Sequence, residues 1–356
     1  ISIGLLTFVA VLTLQFQHRE YARQQLLVAT GGDMGPSSLS TTAQLASCFP
    51  ESVRPHWVES LSKFRVIKIK VNYFDKESEY ISCFPEVELL WIQSFKSNPP
   101  SWKNLGPLPN LRFIDLSIDD LSAEDLKEIG RQVRCNQLRI DVSKCGLQAL
   151  DGLSSWSEMT QIRVNSAILS GQDILKIWEQ CPHIDRLTLY ECSIDSSAVQ
   201  KLFEQKSLAE LDLYDCSHLR LAADDIQMVY SELRKLSIHS YEGFDEMPAT
   251  IAEFIGNSCN ALEEVTMKSW EIPDGLVSKI LVNNPRIRRI RIPWNSISAT
   301  VVADLMSLEH LEEVVVSIPA NVYLKRQNVE ITEIRSVLDK VRAAIPACRV
   351  ETEQLH

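Results

Sequence analysis

The stretch Ile184–Cys216 opens I-D-R-L-T-L-Y-E-C (Ile184–Cys192) and closes L-A-E-L-D-L-Y-D-C (Leu208–Cys216). Ile184, Leu187, Leu189 and Cys192 match Leu208, Leu211, Leu213 and Cys216 at a spacing of 24 residues. Recurrence at a fixed period is a stronger guide to fold than local propensity. Working outward, first positions of the same pattern fall at Phe64, Val87, Leu111, Gln137, Met159, Ile184, Leu208, Leu233, Leu262, Ile287 and Leu311. The steps run from 22 to 29 residues, the longest being Leu233 to Leu262. Gln137 is preferred to Cys135 because it puts Ile140, Val142, Cys145 and Leu147 in step with Leu187, Leu189, Cys192 and Ile194. A last copy fits at Ile345, Cys348 and Val350.

The L-x-x-L-x-L part is a short strand with its apolar side chains turned one way. The residues that follow must return the chain to start a neighbouring parallel strand. In Ser196–Gln205 the return reads as a helix, with Ser197 and Gln200 as an S-x-x-Q capping box and Val199, Leu202 and Phe203 on one apolar face. In Leu121–Gln132, Ser122 is placed to cap while Leu126 and Ile129 face inward. One copy cannot cover its own apolar face, so copies must stack. The pattern resembles the cysteine-containing and ribonuclease-inhibitor-like leucine-rich repeats. That resemblance implies an α/β fold: a right-handed leucine-rich-repeat solenoid, or horseshoe, of about 11–12 repeats over residues 64–356, with parallel strands on the concave face and helices on the convex face. Asn72, Cys145, Cys192, Cys216 and Asn295 fall at the position that closes the turn after each strand.

Ahead of the repeats lies I-S-I-G-L-L-T-F-V-A-V-L-T-L-Q-F (Ile1–Phe16), without a charge. A span needs about 20 apolar residues. The sequence starts at Ile rather than Met, and a few preceding residues would complete one, so residues 1–16 read as a single transmembrane anchor. Residues 17–45 read as a juxtamembrane helix and linker, ending its helical part at Gly31 and Gly32. Residues 46–63, with Pro50, Pro55 and Trp57, read as an N-terminal cap on the first repeat. The apolar start, R-E-Y-A-R-Q-Q-L-L-V-A-T-G-G-D (Arg19–Asp33) and P-H-W-V (Pro55–Val58) resemble the membrane-anchored leucine-rich-repeat proteins of planctomycete bacteria. That resemblance implies a membrane localisation and transfers no catalytic residue.

The 356 residues carry a net charge of −11 and no Lys/Arg-rich run, which disfavours nucleic-acid binding. The nine cysteines are odd in number and lack paired spacings, as buried free thiols would be. The seven histidines are scattered, so no metal and no cofactor is expected. No phosphate-cradling, dinucleotide, zinc-protease or serine-hydrolase motif occurs, and the chain reads as a non-enzyme.

Two rows of side chains on the concave face stand out. One alternates in sign: Glu210, then Arg234 and Lys235, Glu263 and Glu264, Arg288 and Arg289, Glu312 and Glu313. Opposite charges on adjacent strands support their pairing. The other follows the last leucine-type residue: Asn165, Tyr190, Tyr214, His239, Lys268. Tyr190, Tyr214 and His239, with Glu191, Asp212 and Asp215 beside them, form the candidate protein-binding strip, since tyrosine is enriched where proteins bind. The functional expectation is a membrane-anchored scaffold or receptor-like module with a protein ligand on the concave face. The alternative is a substrate-recognition subunit of a ubiquitin ligase of the F-box type. Against it, Leu45–Phe64 is short for the adaptor-binding segment and lacks its L-P start.

Overall fold

The computed structural model describes residues 68–71, 87–94, 102–106, 108–216, 232–239, 255–268, 275–318 and 331–354. Twelve strands follow one another in a single sheet in sequence order: β1 (Lys68–Val71), β2 (Leu89–Ser94), β3 (Phe113–Ile118), β4 (Gln137–Asp141), β5 (Gln161–Asn165), β7 (Arg186–Tyr190), β9 (Glu210–Tyr214), β10 (Lys235–His239), β11 (Glu264–Lys268), β12 (Arg289–Pro293), β13 (Glu313–Ile318) and β14 (Arg349–Gln354). A second, two-stranded parallel sheet joins β6 (Ile168–Leu169) to β8 (Ser193–Ile194). The chain divides into two compact units, Ile1–Ile162 and Arg163–His356.

In the first unit β1, β2, β3 and β4 pair in parallel. Leu90, Ile92, Ile114, Leu116, Leu138 and Ile140 are buried. Helix α1 (Ala123–Gln132) starts as its sequence asks. Ser122 Oγ accepts from Asp125 N at 3.1 Å and Asp125 Oδ2 accepts from Ser122 N at 3.1 Å, a reciprocal capping box, while Leu126 and Ile129 are buried. Trp156 closes the layer behind it, donating Nε1–H to the Leu126 carbonyl at 3.0 Å.

In the second unit β7, β9, β10, β11, β12, β13 and β14 are parallel neighbours in that order. Leu187, Leu211 and Leu236 lie in register, as do Leu189, Leu213 and Ile238, and all six are buried. Each copy hands two backbone donors to the copy before it. Ala209 and Glu210 donate to Asp185 O, Arg234 and Lys235 to Ala209 O, and Glu263 and Glu264 to Arg234 O. Helices α3 (Gly171–Gln180), α4 (Ser196–Glu204), α5 (Leu276–Asn283), α6 (Ala299–Met306) and α7 (Ile331–Ala344) follow five of the strands; α2 (Val142–Cys145) is a single turn in the first unit.

Three copies sit two residues away from their expected places. Gln137 pairs with Phe113 and Leu138 with Ile114, so the first position of that copy is the buried Cys135 rather than Gln137. Ile69 and Val71 pair with Leu90 and Ile92, two residues later than a start at Phe64 allows. Val350 and Thr352 pair with Val314 and Val316, so the last copy starts at Ala347 rather than Ile345. The cap of α4 is also displaced: Asp195, not Ser197, accepts from Ala198 N at 2.7 Å. Asn295 is exposed in a 3-10 turn (Trp294–Ser296) instead of closing a buried one, and Asn72 lies outside the described residues. A buried asparagine stands elsewhere, at the end of α5: Asn284 accepts from Leu262 N and donates to the Cys259 and Ile280 carbonyls at 2.8–2.9 Å.

The expected membrane localisation is corrected. Among the described residues no helix is long and apolar enough to cross a membrane. The proposed anchor (1–16), linker (17–45) and cap (46–63) lie outside the described residues.

Candidate functional site

On each strand the residues between the buried leucine-type positions point to the other face of the sheet, because side chains alternate along a strand. In the second unit this open face carries three rows.

The first row is Arg186, Glu210, Lys235, Glu264, Arg289, Glu313 and Arg349, one residue per strand in register. Its ion pairs close on one another: Arg186–Glu210 at 2.5 Å, Lys235–Glu210 at 3.5 Å, Lys235–Glu264 at 3.4 Å, Arg289–Glu264 at 2.7 Å and Arg349–Glu313 at 3.9 Å. Arg288 pairs with Glu312 alongside. Most of the charges seen in the sequence therefore pair with one another, and the row extends one strand further at each end than the residues first singled out.

The second row is Thr188, Asp212, Ser237 and Thr266. Thr188 Oγ1 donates to Asp212 Oδ2 at 3.3 Å. Burial pushes the Asp212 carboxyl above the usual range, against the hydroxyls of Ser237 and Thr188, which pull it down. Asp212 is thus built into the sheet face rather than projected from it.

The third row is the aromatic one. Tyr190, Tyr214, His239 and Lys268 are in register on β7, β9, β10 and β11. Tyr190 and Tyr214 are half-buried, with ring centroids 6.3 Å apart. Tyr214 stacks on His239 at 4.2 Å. The Arg163 guanidinium lies over the other face of Tyr190, 4.7 Å from its centroid. Tyr190 and Tyr214 are tilted by 34° to one another, so the stack proper is Tyr214 on His239, with Arg163 over Tyr190 beside it. His239 is itself buried, 7% exposed, and its imidazole is held down to about 4 by burial first and then by Lys268 and Arg291. It backs Tyr214 rather than lining the strip. Asn165, the row's expected first member, is also buried and accepts from Arg163 Nε at 3.1 Å.

Glu191 is exposed and Asp215 half-buried, each one residue past its tyrosine. Both take left-handed backbone, φ 53° and 49°, as does Ser166 at 54°. The turn is held by Ser166 N to Tyr190 O at 2.8 Å, Glu191 N to Tyr214 O at 2.8 Å and Asp215 N to His239 O at 2.9 Å. Immediately after it Cys192 and Cys216 tuck their thiols against the Val164 and Leu189 carbonyls at 3.4 and 3.5 Å. Burial pushes the Cys192 thiol up to about 11 and the Cys216 thiol higher still. These thiols are packing groups, protonated at neutral pH and poor nucleophiles. The Tyr190 phenol is also raised, by desolvation and then by its hydrogen bond to Glu191.

Thus Tyr190, Glu191, Tyr214 and Asp215 cluster at one edge of the open face, Asp212 is tied down between hydroxyls, and His239 is covered. Sequence reasoning missed Arg163. The available signal was its place, two residues before Asn165, in the copy preceding Tyr190. Among the described residues no group of three or more His, Cys, Asp or Glu side chains is arranged to hold a metal ion.

No protein-family model and no curated protein matches this sequence. Solved structures do. The leucine-rich-repeat protein LegL7 of Legionella pneumophila is similar over 81% of this chain and 90% of its own, at 12% identity and a TM-score of 0.45. TLR13, solved with ssRNA13, is similar over 81% of this chain and 38% of its own, at 12% identity and a TM-score of 0.47. The internalin InlF of Listeria monocytogenes is similar over 89% of this chain and 76% of its own, at 11% identity and a TM-score of 0.40. On its own strand register and backbone pattern, the chain has the leucine-rich-repeat fold.

Proposed function

We propose that this chain is a non-catalytic binding module whose protein ligand meets the open sheet face along Tyr190, Glu191, Tyr214 and Asp215. The observation that carries the reading is the half-exposed tyrosine pair on adjacent strands, propped from both ends by Arg163 and His239. The stack of Tyr214 on His239 and the Arg163 guanidinium over Tyr190 hold the two rings before a partner arrives, so little side-chain freedom is lost on binding. The presented groups are phenol edges and hydroxyls beside an exposed carboxylate, which favours a ligand with a basic patch. Among the described residues the thiols are buried and protonated and Asp212 is bound by hydroxyls, which supports a non-catalytic face.

The test is quantitative pull-down from extract with wild type and a Tyr190→Ala/Tyr214→Ala variant, with circular dichroism as the folding control. Recovery of the specific partner is expected to fall at least about tenfold, the effect of roughly 1.4 kcal/mol. Equal recovery by two equally folded proteins would remove the strip from consideration.

A further inference from the structure

Beyond the tyrosines the same row continues into a different chemistry. The β11–β12 pairing runs as far as Thr266 and Arg291, and two residues past these stand Lys268 and Pro293; Pro293 is in register with Ser317 on β13, and Ser317 with Glu353 on β14. Lys268 Nζ nonetheless reaches Glu353 Oε1, at 2.7 Å, across both intervening strands. Three strand spacings of about 4.8 Å separate the two backbones, and neither Pro293 nor Ser317 carries a long side chain to obstruct the path. Arg291, one row inward, brings Nε to 3.3 Å from Glu353 Oε2. His239 flanks Lys268 on β10. Among the described residues two cations thus converge on one carboxylate, leaving one positive charge in surplus. Among the described residues the Ser317 hydroxyl, fully buried, has no hydrogen-bond partner. A buried hydroxyl without a partner costs free energy, about 1–3 kcal/mol. The rest of the open face pairs its acids and bases closely, and the chain as a whole is acidic, at −11. A local cation surplus with a spare hydroxyl is therefore out of character with its surroundings.

We propose that Lys268, Arg291 and Ser317 form a carboxylate-binding recess, and that Glu353 from the last described strand is its tethered occupant. A partner's aspartate or glutamate side chain takes the place of the Glu353 carboxylate, which swings out to solvent. Glu353 is 36% exposed along its side chain and Arg291 35%, while the facing atoms Arg291 Nε and Glu353 Oε2 are buried, so a partner carboxylate enters only as Glu353 swings out. Exchange of one carboxylate for another leaves the net charge of the recess unchanged. The proposal stands apart from the tyrosine strip, since it involves a different ligand charge and different residues.

The probe is a short, fluorescently labelled glutamate-only peptide, with binding read as anisotropy. Wild type is expected to bind it weakly because Glu353 competes. Glu353→Gln removes the competing charge and should tighten binding about tenfold. Adding Lys268→Met to that variant should abolish the gain. Glu353→Ala serves as a second competitor-free variant and should behave as Glu353→Gln does. Equal affinity of wild type and the folded single variants would overturn the proposal, as would a gain that survives Lys268→Met. Loss of the fold in both Glu353 variants would show Glu353 to be a fixed structural group, and that too would overturn it.

Discussion

His239 shows how one residue joins the row's two halves. It is buried, stacked on Tyr214, and kept neutral by its surroundings, with its imidazole at about 4 against an ordinary 6.5. Between those values the unfolded chain binds a proton that the folded chain refuses. Stability from this residue is complete above about pH 6.5 and falls as pH drops toward 4, by up to about 3 kcal/mol. His239→Phe keeps a flat ring for Tyr214 and removes the proton. Melting temperatures across that window should decline less steeply for the variant; identical slopes would show that His239 does not titrate there. Glu191 makes the opposite bargain. An L-residue at φ 53° carries a steric penalty of about 1–2 kcal/mol that glycine escapes, although glycine is the freer residue in the unfolded chain. Glu191→Gly is expected to leave stability unchanged or raise it by up to about 1 kcal/mol in denaturant unfolding, while weakening the partner. Marked destabilisation would show that the carboxylate supports the turn instead of serving the surface.

At the scale of elements, the strand and helix pattern was legible because burial follows it closely. Val199, Leu202 and Phe203 are buried in α4 as their spacing requires, and so are Leu126 and Ile129 in α1. The departures share one cause. The copies expected at Phe64, Gln137 and Ile345 are each displaced by two residues, never by one. Strand side chains alternate with a period of two, so a slip of two keeps every apolar residue on the buried face. Alternation therefore cannot detect it. What settles the register is the first position, which is Cys135, a small buried thiol, and not Gln137. The cap of α4 was misread for a similar reason, since Asp195 and Ser197 both have capping side chains two residues apart. Asp195→Ala should cost about 1 kcal/mol in urea unfolding. Gln200→Ala should cost little, because Gln200 Nε2 serves only Glu204, at 3.0 Å. The reverse order of effects would restore Ser197 as the cap. The aromatic row was visible in sequence as positions, but not its stacking, nor the link from Lys268 to Glu353. That link spans 85 residues and skips two strands, which no rule for neighbouring strands anticipates.

At the scale of the whole molecule, a stack of repeats has no single centre. Most strands of the second unit lie between two parallel neighbours, so a defect in one copy is shared with the copies beside it. Leu211 is the place to test this. It is 1% exposed and pairs in register with Leu187 on one side and Leu236 on the other, both equally buried. Leu211→Ala removes buried methyl groups and leaves a cavity that the flanking strands can fill only by shifting, at a cost of about 2–5 kcal/mol. In an ordinary globular core that loss is averaged over the domain. Here it should concentrate in β9 and decay outward. Amide hydrogen exchange is expected to accelerate most in β9, next in β7 and β10, and less in β13 and β14, while the melting temperature falls. Asp212→Ala, one residue along and on the open face, should disturb only its hydroxyl partners. Uniform acceleration over all the strands of the second unit would mean that they unfold as one cooperative body, and an unchanged melting curve would mean that Leu211 is not inside the stack.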